Sequence, residues 1–72
     1  MFKRGDIVEC YRESTDSGEY IGLIGHIVIE DTVRPLVEYK EARIKRWWTD
    51  VMALRLYNPS KLRLIQKKFL EE

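Results

Sequence analysis

A chain of 72 residues has room for one hydrophobic core, and its 44% hydrophobic and 35% charged residues are typical of a folded domain rather than a disordered one. No apolar run approaches the roughly 20 residues that cross a bilayer, and the first residues contain no signal-peptide core. A single cysteine excludes an internal disulfide and fits a reducing compartment, so we expect a cytoplasmic protein with no membrane partner.

The charges are unevenly distributed along the chain, although the net charge is only +1. Residues 1–41 carry five basic against nine acidic side chains, whereas residues 42–72 carry eight basic against three acidic ones. If the two halves do not interleave in space, one face of the molecule is basic and the other acidic.

The first predicted strand covers residues 7–11, where β-forming side chains dominate. Its alternation places Val8 and Cys10 on one face and the other side chains on the opposite face. We expect Cys10 to be a small buried hydrophobe, since nothing beside it in the sequence would activate a thiolate. Residues 12–19 are polar, acidic and rich in turn formers, so they predict an exposed loop.

A glycine-containing hairpin forms the centre of the predicted fold. Gly22 and Gly25 let the backbone bend, and a β-branched run then predicts a strand that ends near Glu30. Residues 31–34 predict a turn, and residues 35–39 a returning strand.

Residues 43–57 fit two interpretations. As a helix, the stretch has an amphipathic stripe that includes both tryptophans; as extended chain, it places Ile44 and Trp48 inward and Trp47 outward. The absence of a clear capping box and the all-β flanks favour the strand. Under this interpretation Trp47 either forms an exposed contact or packs against the C-terminal apolar residues.

The C-terminal part predicts a single helical turn at residues 58–62, with proline at its first position, followed by a short closing strand at residues 63–65. Residues 66–72 are charged and predict a frayed turn or a docking tail. We expect residues 1–72 to form a single domain.

Four motifs along the chain together resemble the SH3-like small β-barrels, and the glycine hairpin is similar to the KOW-type subset. The motifs are Arg4-Gly5-Asp6-Ile7-Val8, Gly22-x-x-Gly25-x-Ile27-Val28, Val37-Glu38-Tyr39 and Pro59-Ser60-x-Leu62-x-Leu64-Ile65. The resemblance implies an all-β fold of about five strands, a long first loop and a short 3₁₀ turn before the last strand. Barrels of this kind include peptide binders, RNA binders and accessory subunits of larger enzymes.

The sequence contains no grouping of residues that would support catalysis. It has one histidine, one cysteine, no glycine-rich phosphate loop and no serine placed by a motif. His26 has no second ligand at a metal-binding spacing. We therefore expect no enzymatic activity, no cofactor and no metal.

Two binding functions remain, and both use basic and aromatic side chains of the second half. The candidate partner-binding residues are Arg43, Lys45, Trp47, Arg55 and Tyr57. Aromatic and arginine side chains are favoured at protein interfaces, which makes another protein the first expected partner and leaves association with a second copy open. The alternative is nucleic acid, with Arg43, Lys45 and Arg55 neutralising phosphates and Trp47 stacking a base.

Overall fold

The structure is a computed structural model that describes residues 1–14 and 17–57. It contains five strands and two single 3₁₀ turns, and no α-helix within the described ranges. The strands are β1 (Ile7–Cys10), β2 (Ile24–Ile29), β3 (Leu36–Tyr39), β4 (Arg46–Trp48) and β5 (Leu54–Leu56), and the 3₁₀ turns are Gly18–Tyr20 and Val51–Ala53.

These five strands form one antiparallel sheet in the order β4-β3-β2-β1-β5, and among the described residues β4 and β5 are its two edges. A register shift between Ile27 and Ile29 marks a bulge in β2. The predicted all-β fold of about five strands is confirmed by the described residues.

One face of the sheet carries the core. The side chains of Val8, Cys10, Ile27, Val37 and Tyr39 are essentially inaccessible to solvent and come from β1, β2 and β3 at alternate positions. The 3₁₀ turns contribute the rest of this buried cluster, Tyr20, Ala53 and, directly after the second turn, Leu54. The inward positions predicted for Val8 and Cys10 are confirmed.

The central hairpin depends on the lack of a side chain at Gly25. A Cβ there would lie 2.6 Å from the carbonyl oxygen of Glu38 and 2.7 Å from Cγ1 of Val37. Strands β2 and β3 therefore approach more closely at this point than any other residue would permit. Gly22, shortly before β2, has a φ of 85°. This positive φ favours glycine because side chains make that backbone conformation costly.

Two expectations about the segments between strands are wrong, and those about the C-terminal residues fall outside the described part of the chain. Residues 12–19 are not uniformly exposed, because Ser17 is fully buried. Its hydroxyl oxygen accepts a hydrogen bond from the backbone N–H of Ser14 at 2.8 Å. The 3₁₀ turn before the last described strand is Val51–Ala53, so residues 52–56 are not one extended segment. The helical turn expected at residues 58–62, the strand at 63–65 and the tail at 66–72 lie outside the described residues.

A candidate interaction edge on strand β4

Four basic or apolar side chains and one tryptophan are exposed along the segment that leads into and forms β4. We call this set the β4 edge: Arg43, Ile44, Lys45, Arg46 and Trp48. Ile44 is 47% exposed and Trp48 is 50% exposed, which is high for residues of their size. The strand interpretation of the tryptophan pair is confirmed, since both lie in β4.

The two tryptophans point in directions opposite to those predicted. Trp47 pairs with the buried Val37 of β3 and so faces the core, where it packs against the buried cluster. Trp48 pairs with Leu36 and faces outward. The predicted inward position of Ile44 is also wrong, because this residue lies in the turn before the β3–β4 ladder rather than within it.

Trp47 is anchored by Tyr20. Their ring centroids are 5.6 Å apart, with an angle of 24° between the planes, and Tyr20 also contacts Tyr39 at 4.6 Å. The Tyr20 hydroxyl donates to the carbonyl oxygen of Ile44 at 2.9 Å, which ties the turn before β4 to the core. Burial, assisted by the neighbouring Glu19, raises the pKa of Tyr20, so its hydroxyl remains a donor at neutral pH.

The backbone of β4 has one side bonded to β3 and one side free of strand partners among the described residues. The carbonyl oxygen of Lys45 accepts a hydrogen bond from the backbone N–H of Tyr39, and the N–H of Thr49 donates to the carbonyl oxygen of Pro35. Since these bonds alternate along an antiparallel strand, residues 45, 47 and 49 direct their backbone groups to β3. The N–H and C=O groups of Arg46 and Trp48 therefore point away from the sheet.

The charges of the β4 edge are only partly compensated. Arg46 lies 3.6 Å from Glu38, which also contacts His26 at 3.3 Å. Lys45 donates to the backbone carbonyl of Lys40. Within the described part of the chain, no carboxylate lies within ion-pair distance of Arg43 or Lys45.

The remaining predicted site residues lie elsewhere. Arg55 is in β5, at the opposite edge of the sheet, where its guanidinium donates to Glu9 at 2.9 Å and lies over the ring of Tyr11. The N–H of Tyr57 donates to the carbonyl of Ile7. The five predicted residues do not form one surface: Arg43 and Lys45 belong to the β4 edge, Trp47 packs beneath it, and Arg55 and Tyr57 lie beside β1.

Sequence reasoning missed two features of the outer sheet face. The first is the exposure of Trp48, which the sequence does not decide because two adjacent tryptophans fit an extended strand in either parity. An open groove of about 600 Å³ lies over β1 and β2, with Ile7, Ile24 and His26 in its lining. In these two strands, the side chains that alternate with the buried ones face outward, and this pattern in the sequence could have indicated the groove.

The described residues contain no group of three or more histidine, cysteine or acidic side chains that could hold a metal. They also contain no helix long and apolar enough to span a membrane. Cys10 is buried, and burial raises the pKa of its thiol, as expected for a core residue.

No protein-family model matches the chain, and no curated protein or solved structure is significantly similar to it.

Proposed function

We propose that this chain is a non-enzymatic binding module that contacts another protein through the β4 edge. The observation that carries the proposal is a half-exposed tryptophan, Trp48, on the same strand as the exposed Arg46, with Arg43 and Lys45 exposed in the segment that leads into that strand. Such a module would act as an adaptor, an accessory subunit or an inhibitor in the cytoplasm.

The composition of the β4 edge supports protein contact. Tryptophan and arginine are the side chains that most often dominate binding energy at interfaces, and Trp48 provides a large apolar area that solvent now covers. Ile44, which is 47% exposed, is a second exposed apolar side chain in the same segment. Arg43 and Lys45 supply charge without a carboxylate partner among the described residues, so they are available to a partner with acidic groups.

Nucleic acid is the second candidate, because Trp48 could stack a base while the exposed Arg43 and Lys45 of the same segment neutralise phosphates. The charge distribution favours protein over nucleic acid. Two of the exposed arginines, Arg46 and Arg55, already face carboxylates, and the net charge of the chain is +1. The electrostatic term that dominates affinity for nucleic acid would therefore rest on few charges.

The test is capture from a lysate of the source cells by the immobilised chain, with and without nuclease, followed by titration of each captured protein in purified form. The informative variant is Trp48→Ala, and the matched control is Met52→Ala, because Met52 is 60% exposed but lies outside the β4 edge. We expect a nuclease-resistant partner that binds the wild type and the control equally and loses at least about tenfold in affinity for Trp48→Ala.

Equal affinity for all three chains would overturn the proposal. Nuclease-sensitive capture, together with binding of a purified oligonucleotide whose affinity falls steeply with salt, would favour nucleic acid as the partner instead of protein.

A further inference from the structure

We propose that the partner is bound by strand addition: an acidic, extended segment of the partner pairs with β4 and becomes the sixth strand of the sheet. This inference rests on the proposed function of the β4 edge and specifies the kind of segment that binds there.

The backbone of β4 provides the template. The groups of residues 45, 47 and 49 are bonded to β3, while the N–H and C=O groups of Arg46 and Trp48 point outward with no strand beside them in the described chain. Unpaired groups on an edge strand favour pairing with another extended chain. Two donors and two acceptors, alternating along the edge, match the spacing of an antiparallel neighbour.

The side chains flanking this edge select the occupant. In an antiparallel pair, the residues that exchange hydrogen bonds with Arg46 and Trp48 place their side chains on the same outer face as these two. A carboxylate at the first position would lie beside the Arg46 guanidinium, and an apolar group at the second beside the Trp48 indole. Arg43 and Lys45, which precede the strand, extend the preference for acidic residues.

A second copy of this chain is disfavoured as the occupant. Residues 43–49 contain no acidic side chain, so antiparallel pairing of two β4 strands through their outward residues would place Arg46 opposite Trp48 of the copy and not opposite a carboxylate. The β3–β4 ladder from residue 45 to residue 49 is about 13 Å long, which suits a partner segment of about five to seven residues.

The experiment uses the full chain and a defined probe, a capped peptide of about seven residues in which every second residue is threonine and the residues between them alternate valine and glutamate, so that both types lie on one face. Binding is followed by ¹⁵N amide resonances, and hydrogen exchange is measured with and without the peptide. We expect exchange at the amides of Arg46 and Trp48 to slow about tenfold or more on binding, because they gain hydrogen bonds. The amide of Trp47, which is already bonded to β3, is the internal control and should change little.

Two further probes separate the outcomes. A peptide with lysine in place of glutamate should not bind, and an oligothymidylate of equal charge should not protect the two amides. A glutamate peptide that binds without protecting them overturns strand addition but leaves the proposed function in place. Failure of that peptide to bind, or protection by the oligothymidylate alone, also overturns the inference, whereas the proposed function stands or falls on the Trp48→Ala capture.

Discussion

The indole of Trp47 stacks on the phenol ring of Tyr20, with ring centroids 5.6 Å apart and planes inclined by 24°. This contact places one member of the tryptophan pair in the core and leaves its neighbour, Trp48, on the opposite face. The two adjacent residues therefore have different roles: Trp47 holds β4 against the sheet, and Trp48 is available to a partner.

Truncation of the two tryptophans should separate these roles. Trp47→Ala removes a ring that packs on the buried cluster, and we expect it to lower the free energy of unfolding by about 2–4 kcal/mol. Trp48→Ala should cost less than about 1 kcal/mol, since half of its surface is already in water. Urea denaturation followed by circular dichroism measures both. Equal losses in the two variants would contradict the assigned faces.

Ionisation of Tyr39 should limit stability at high pH. Burial raises the pKa of Tyr39 to about 12, although the hydrogen bond with Thr49 at 2.8 Å acts in the opposite direction. Because the folded state holds the proton more tightly than the unfolded chain, this contribution is complete below about pH 10 and is lost as the pH rises toward 12. In thermal melts between pH 8 and pH 12, the contribution of Tyr39 to Tm should be constant up to about pH 10 and should fall above it.

Tyr39→Phe provides the check on this assignment. The variant loses the hydrogen bond to Thr49 and should be less stable at neutral pH by about 1–2 kcal/mol, with a weaker alkaline decline. Tyr11→Phe is the matched control, because Tyr11 is 38% exposed, and it should keep both the neutral stability and the decline of the wild type. A Tyr39→Phe variant whose alkaline profile is unchanged would assign the decline to another group.

A methyl group at Gly25 should be destabilising even though the change is small. The added Cβ would meet the backbone oxygen of Glu38 at 2.6 Å, and backbone cannot move aside as the end of a side chain can. We expect Gly25→Ala to cost about 2–3 kcal/mol, in the range of overpacked cores. At Gly18 the nearest atom to an added Cβ is a side-chain oxygen at 3.5 Å, so Gly18→Ala should be nearly neutral. Urea denaturation midpoints of the two variants test this difference, and equal midpoints would contradict it.

The turn between β2 and β3 depends on the Asp31 carboxylate. Its Oδ2 accepts the backbone N–H groups of Arg34 at 2.7 Å and Val33 at 2.9 Å, and these bonds lower the pKa of Asp31 below its ordinary value of 3.8. Its stabilising contribution is therefore present above that value and is lost as the pH falls through the lowered pKa.

A titration of the Asp31 carboxyl resonance should give a midpoint below 3.8. Asp31→Asn, which keeps an acceptor, should preserve the turn better than Asp31→Ala, as measured by amide exchange at Val33 and Arg34. A midpoint at or above the ordinary value would show that the two hydrogen bonds do not form in solution.

The alternation in residues 7–10, 24–29 and 36–39 was enough to predict the hairpin, the all-β class and the burial of Val8 and Cys10, because a strand that covers one face of a core must repeat every two residues. The orientation of residues 46–48 could not be obtained in this way. Two adjacent tryptophans satisfy the alternation in either parity, and only the pairing of Trp47 with the buried Val37 decides between them. The separation of Arg55 from the β4 edge is likewise a consequence of the strand order, which long-range pairing sets and local sequence does not encode.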